Sequence, residues 1–442
     1  MKIVNIIFLL LILTNCSFDN KTGIWTNNTQ DKKIEKKEVK NSEIISASNQ
    51  KIFDEEKNSL NKINIIFPEV SKNLKWPEEY FNNQNNYQNA FLNTQFTKIS
   101  KSKKLARGKI SHNFYIINNN VFYNDHRGNI YVYSIDKDQV IFKFNFYKKK
   151  YKKYKKLIYM TVDENKIYVL DNLGFAYALN YKNNKLVWAK NYGVPFRSNL
   201  KIYNNELFGA DLNNTIFSIN IFNGEKNWSS NTESEIIRNK FINNISIDEE
   251  GNLYFLNTSG NLYSFNISTK TMSWFLGLKR GPKSFTNTFD AKPIVINNKK
   301  ILISSYNQTK LYDSNGAKIW STNISLSTKP IFINGFIFAF SKTGLLTCLD
   351  SLSGEILWAK RILKEENINI NKKLRKIKNI DSMQLINNKL FLFSKNGFSL
   401  EIDYQDGSII SLQNVDKMKS NFLFVKGKMY FINSRNKLSI IN

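Results

Sequence analysis

The chain has 442 residues, 42% of them apolar and 14% aromatic, enough to bury a large core. Its formal charge is +28, but Lys, Asn, Ile, Phe and Tyr are abundant throughout and the surplus lysines are spread along the chain, so charge alone does not mark a nucleic-acid binder. Two cysteines, Cys16 and Cys348, exclude a disulfide framework, and two histidines, His112 and His126, argue against a His-based zinc or iron centre.

Behind Met1-Lys2, residues 3–13 form an apolar run of eleven positions interrupted only by Asn5. That is short of the roughly 20 helical residues a bilayer needs, and it fits the apolar region of a signal peptide. Leu13-Thr14-Asn15-Cys16 resembles a bacterial lipobox, although Asn15 stands where Gly, Ala or Ser is usual. The resemblance implies cleavage before Cys16 and lipidation of Cys16; an ordinary signal peptide with an incidental cysteine is the plainer alternative. Several acyl chains anchor a protein stably where one does not. Ser17 after the cysteine, by likeness to Gram-negative sorting rules, implies the outer membrane. From Ser17 to about Ser59 the chain is rich in Lys, Glu, Asn and Ser and reads as a polar tether that gains too little from burial to fold. The expected organisation is a signal peptide at 1–15, lipidated Cys16 with a mostly disordered tether at 16–75, and one repeat domain at 76–442.

The repeat domain is built from one phrase. At 330–358 two short strands flank Asn334-Gly335, a dipeptide suited to a tight hairpin; Gly344 leads into a third strand ending at Asp350, and Ser353-Gly354 turns into a fourth ending at Trp358. Third-strand copies recur at 128–136, 174–180, 214–220, 260–266 and 397–403, with a shorter one at 310–313. Trp188, Trp228, Trp274, Trp320 and Trp358 close five units, at separations of 40, 46, 46 and 38 residues; Phe142 and Ile410 stand near that place in the first and seventh. A period of 40–50 residues with four short strands predicts an all-β fold, an eight-bladed β-propeller of four-stranded antiparallel blades. A parallel β-helix, the competing architecture, has shorter coils and no fourth strand. The eighth unit, 421–442, holds three strands, so an N-terminal strand near Phe91–Ile99 is expected to complete it and hide both edges.

Chemistry-bearing motifs are sparse. The sequence contains no phosphate-binding glycine loop, dinucleotide fingerprint, nucleophile elbow or zinc-protease motif. His126, in Asp125-His126-Arg127-Gly128, reads as a solvated turn residue rather than a base, and Cys348 as a small core residue. The run from Tyr147 to Lys156 interleaves lysine with tyrosine. A solvated excursion between blades is the plainer reading. Anionic lipid headgroups are the better-suited ligand if it binds one, since an exported protein rarely meets single-stranded nucleic acid.

The phrase of Leu-Asp, a glycine turn and Trp four residues later resembles the PQQ-like propeller repeat over roughly 76–442. Quinoprotein dehydrogenases share it but add a calcium site and often a vicinal disulfide. Lipobox, polar tether and eight blades together are similar to the BamB family of outer-membrane assembly lipoproteins, and 67–77, from Phe67-Pro68 to Trp76-Pro77, resembles that family's entry into the propeller. The resemblance implies a non-enzymatic scaffold without a cofactor, anchored in the outer membrane of a Gram-negative bacterium and facing the periplasm. The implied partners are a POTRA domain of BamA, other assembly subunits and unfolded outer-membrane proteins, with no nucleic acid and a monomer within the complex. Ile237 and Arg238, in an apolar-x-apolar-Arg segment where Glu235 replaces the first apolar residue, and Asp290, in an Asp-x-Asp segment where Thr288 replaces the first Asp, are the implied BamA contacts. A PQQ-dependent enzyme and an envelope- or sugar-binding propeller remain the alternative readings.

Overall fold

Short runs of β-branched and aromatic residues, punctuated by Asn, Asp and Gly, favour strands joined by tight turns. The computed structural model of the protein describes residues 16–18, 25–27, 51–59, 62–86, 89–93, 99–234, 240–279, 289–363, 374–377 and 379–441. Residues 1–50 and 51–442 form separate units. In the first, Cys16–Phe18 pairs antiparallel with Trp25–Asn27.

The second unit is an eight-bladed β-propeller. Each blade is a four-stranded antiparallel sheet, and in blades 1 to 7 the strands lie in chain order, beginning with Ile110–Ile117 in blade 1 and Ile158–Asp163 in blade 2. Blades 3 to 7 begin with Lys201–Tyr203, Asn244–Ile247, Val295–Asn297, Ile331–Ile333 and Ser382–Ile386. First strands of neighbouring blades contact one another at five of the junctions, including that of blade 8, Leu423–Val425, with that of blade 1, so these strands surround the axis and the ring is closed. Blade 8 continues through Lys428–Ile432 and Lys437–Ile441, and its outer strand is Ile99–Lys104. The borrowed strand thus begins where the expected Phe91–Ile99 ends. Residues 89–93 are engaged elsewhere, at the axis.

The repeated tryptophan joins blades. Each fourth strand carries a bulge, and the Trp sits just after it, opposite a small or aliphatic third-strand residue: Trp188 faces Ala178 and Trp358 faces Cys348. The ring lies across the third-to-fourth turn of the next blade. Trp188, Trp274, Trp320 and Trp358 donate Nε1–H to the carbonyls of Ile221, Ser314, Ser351 and Tyr404 at 2.9–3.0 Å. The same four rings cover Gly224, Gly316, Gly354 and Gly407. Gly354 shows why glycine is needed: its φ is +73°, and a Cβ would stand 2.5 Å from the Trp320 ring. Trp228 is the exception. Lys270 takes the glycine's place in the next turn, and Trp228 Nε1 has no partner among the described residues.

Phe142 occupies the Trp position of blade 1, opposite Val132. In blade 7 that position is Ser411, opposite Glu401; Ile410 is the bulged residue itself and is exposed. The sequence places the aromatic equivalent one residue early because the bulge adds a residue that period counting does not see. Ser411 Oγ and Lys389 Nζ meet the Glu401 carboxylate there instead.

Residues 51–75, assigned to the tether from sequence, run along the ring. Lys57 and Ala359 exchange backbone hydrogen bonds at the outer edge of blade 6, Ile63 and Gln405 bond both ways at blade 7, and the Asn73 carbonyl accepts from Lys426 N–H at blade 8. Ile63, Ile65 and Phe67 pack on the core shared by blades 6 and 7. Composition hides this because three apolar residues, spaced to suit an extended strand, decide it among many polar ones.

Candidate docking face and strapped channel

The first strand of every blade presents an unpaired edge to the axis, and buried edge groups need partners. Residues 76–93 supply them, blade by blade. Trp76 and Ile116 exchange backbone bonds, the Pro77 carbonyl accepts from Val162 N–H, and Asn83 Nδ2 donates to the Ile202 carbonyl. The Asn83 and Gln84 carbonyls accept from Ile247 and Ile296 N–H, and Asn86 Nδ2 donates to the carbonyls of Ile296 and Phe332, each at 3.0 Å. Ala90 N–H bonds the Leu385 carbonyl and Asn93 N–H the Gly427 carbonyl. One segment therefore touches all eight blades. It lies toward the ends of the first strands, the face that carries the turns to the second strands.

The Asn-rich composition of 82–89 fits this task. An amide side chain offers donors and an acceptor together. Asn82, Asn83, Asn85, Asn86 and Asn89 each donate Nδ2–H to a backbone carbonyl, and Asn82 and Asn89 also accept the backbone N–H of Asn86 and Asn388. Sequence reading treated asparagine as background composition and missed the strap. The available signal was five asparagines within eight residues just before the first repeat.

The strap also carries the buried charges. Lys201, on the first strand of blade 3, is fully buried; its Nζ lies 2.5 Å from Glu78 Oε1 and 2.6 Å from the Asn82 carbonyl. Burial pushes the Glu78 carboxyl up and the Lys201 ammonium down, each partner's charge pulling back. Lys329 Nζ donates to the Asn85 carbonyl at 2.7 Å, and burial, with the nearby Lys201 charge, lowers its pKa to about 8. Folded Lys329 thus releases its proton near pH 8, whereas an unfolded lysine keeps it to about 10.5. Between these values the unfolded chain binds more protons, so stability rises with pH. Relative to Lys329→Met, the wild type should gain about 3 kcal/mol from pH 7.5 to 10.5. Parallel denaturation curves for the two proteins across that window would contradict it.

The opposite face carries the second-to-third-strand turns and the loops between blades. Asp290 lies here, in the loop between blades 4 and 5. Its Oδ2 is 2.8 Å from Lys342 Nζ, both side chains about half exposed, and its carbonyl accepts from Tyr306 N–H. The adjacent Phe289 is buried edge-on against Phe241 and Tyr306, which anchors the loop. Ile237 and Arg238, the other implied contacts, lie outside the described residues, as does the side chain of Cys16. His126 sits in the turn closed by Gly128 N–H to the Asp125 carbonyl, and Cys348 is fully buried, its thiol pushed well up by burial.

Recurrent carboxylates on this face are structural. Asp125, Asp171 and Asp211 each accept two backbone N–H groups of their own turn through Oδ1, and Asp125 Oδ2 also takes Tyr131 OH. No group of three or more His, Cys, Asp or Glu converges among the described residues. No helix among them is long and apolar enough to cross a membrane.

The family model for outer membrane protein assembly factor BamB matches residues 116–360, more than half of the chain. The chain belongs to the BamB family. BamB from Moraxella catarrhalis is similar in structure, with a TM-score of 0.59 at 13% identity over 78% of this chain and 99% of that one. A quinohemoprotein alcohol dehydrogenase from Comamonas testosteroni has a TM-score of 0.60 at 10% identity, over 84% of this chain and 81% of its own. The computationally designed Ika8 protein is also similar, with a TM-score of 0.57 at 10% identity, covering 77% and 98%. These likenesses speak for the propeller fold. No curated protein matches the chain in sequence.

Proposed function

We propose that the protein is a scaffold lipoprotein of the outer-membrane β-barrel assembly machinery, docked on a POTRA domain of BamA and assisting the folding and insertion of outer-membrane proteins. In this reading Cys16 carries the lipid anchor, the propeller faces the periplasm, and no cofactor or catalysis is involved. The observation that carries it is the family match across the central blades, 116–360. The position of Asp290 supports it: an exposed carboxylate on a loop pinned by Phe289, on the face away from the strap. Arg238 would contribute a guanidinium suited to bidentate bonds, and Ile237 an apolar anchor. The outer edges of the blades, such as Thr271–Gly277, offer backbone groups for pairing with an unfolded strand.

The test is copurification of BamA with the lipoprotein from its own membrane. Arg238→Glu and Asp290→Lys should each reduce recovery about tenfold or more, since reversing a charge at an interface costs several kcal/mol. Undiminished recovery with both variants would sink the assignment. The likeness to a quinohemoprotein dehydrogenase favours a second reading, an exported quinoprotein. Dye reduction after adding PQQ and calcium would favour that reading instead.

A further inference from the structure

Residues 146–157, joining the outer strand of blade 1 to the first strand of blade 2, separate their side chains by chemistry. The aromatic rings Phe146, Tyr147 and Tyr151 turn inward. Phe146 stacks on Tyr177 at 4.6 Å, Tyr147 OH donates to Asp171 Oδ2 at 2.6 Å, and Tyr151 meets Phe175 edge-on. Lys156 is buried, its ammonium above the Tyr147 ring and bonded to the Tyr151 carbonyl. A short 3₁₀ turn, Lys149–Tyr151, sets the curvature. The loop is thereby pinned by its rings.

What remains outside is cationic. Lys148, Lys149, Lys150, Lys152, Lys153 and Lys155 are all exposed, together with Tyr154 and Leu157. No Asp or Glu occurs from Gln139 to Val162, and none of the six lysines forms an ion pair among the described residues. Lys109 and Lys419 extend the field, since their charges, with that of Lys155, press on His126. Six ammonium groups without a carboxylate partner on a braced loop repel one another, and an anionic surface would offset that.

We propose that this loop is a docking site for anionic phospholipid surfaces, the six lysines meeting headgroup phosphates while Tyr154 and Leu157 seat at the interface. Three observations favour a lipid surface over other polyanions. The cations are all lysines, point charges suited to a diffuse field; arginine, the bidentate reader of fixed phosphate or carboxylate, is absent from 146–157. Tyr147 and Tyr151, which would have to stack on bases, are already engaged within the loop and blade. An exposed tyrosine and leucine among lysines is the composition that settles at a headgroup boundary. The site does not depend on the BamA contacts proposed above.

The test uses the chain from residue 16 onward with Cys16→Ser, so that neither the apolar run at 3–13 nor an acyl chain contributes, and cosedimentation with vesicles. The probes are phosphatidylcholine alone and phosphatidylcholine with about 30% phosphatidylglycerol, a charge density that sets up an appreciable surface potential. Binding is expected only to the anionic vesicles and should be largely lost in about 0.5 M salt. Changing the six lysines to serine should weaken it about 100-fold or more. Tyr154→Ser alone should weaken it about threefold, through lost apolar contact at the interface. An unchanged circular dichroism spectrum shows that the lysine variant is folded. Equal binding of the lysine variant and its parent, or no preference for anionic vesicles, overturns the proposal. So does a parent that ignores vesicles but binds an oligonucleotide or an acidic peptide through these lysines.

Discussion

Replacing Lys201 with methionine will lower the unfolding free energy by about 3–5 kcal/mol at pH 7, because it leaves the Glu78 carboxylate buried without its counter-charge. Glu78 is 5% exposed, and Lys201 is the only cation bonded to it among the described residues. The deficit should shrink toward pH 5. With the lysine gone, the folded-state pKa of Glu78 rises further above its ordinary 4.5, so the folded protein takes up a proton that the unfolded chain does not hold. Stability contributed in this way is present at low pH and is lost as pH rises through the folded value. The double variant Lys201→Met with Glu78→Leu should recover most of the loss, since an apolar pair of similar volume carries no desolvation penalty. Urea denaturation at both pH values gives the answer. A deficit that ignores both pH and the second substitution would mean that the ion pair does not hold the strap.

Trp358→Ala should cost a similar amount, about 3–5 kcal/mol, from the cavity and lost transfer energy at the junction of blades 6 and 7. The ring is fully buried, tilted against Phe338, bonded through Nε1 to the Tyr404 carbonyl and seated over Gly407. Trp228→Ala should cost about 1 kcal/mol less, since its Nε1 bonds nothing among the described residues and no glycine receives it. A larger loss at Trp228 than at Trp358, measured by chemical denaturation, would show that the turn glycine and indole bond do not set the strength of these junctions.

Much of the fold could be read from the chain because its signals are local and repeated. The glycine at 128, 174, 260, 344 and 397, the residue closing each third strand, and the tryptophan after the bulge all recur in place, so the propeller and its need for a borrowed strand were legible, though that strand is Ile99–Lys104 and not Phe91–Ile99. Three features were not. Asn118-Asn119, Asn204-Asn205 and Asn387-Asn388 make first hairpins with both residues at positive φ. Asparagine does this work nearly as well as glycine but looks like background in a chain so rich in it. At Asn334-Gly335, the dipeptide that carried the reading, only Gly335 has positive φ. The strap escaped notice because its hydrogen bonds reach far along the chain, 299 residues from Asn89 to Asn388 and further still from Asn93 to Gly427, where no periodicity exists to betray them. The proposed docking contacts rest on a different footing: Asp290 is placed by Phe289 and meets Lys342 of its own chain, and a single chain's physics does not name a partner for it.

The order in which contacts occur along the N-terminal side has a mechanical consequence. A pull applied ahead of residue 51 travels down the chain and first meets the Phe53 N–H bond to the Asn323 carbonyl and the Asp54–Arg361 ion pair, then the Lys57–Ala359 bridge, the Ile63–Gln405 pair and Asn73 at Lys426. Only after these give way does tension reach 76–93, whose bonds are spread over eight blades, and only beyond them the seam between Ile99–Lys104 and Lys437–Ile441. The few bonds at the entrance would rupture singly and lengthen the leash by tens of residues, dissipating the pull as they go. The seam that keeps the ring shut sits last in that series, and it is shielded by a clasp that must be sheared from every blade before it feels any force.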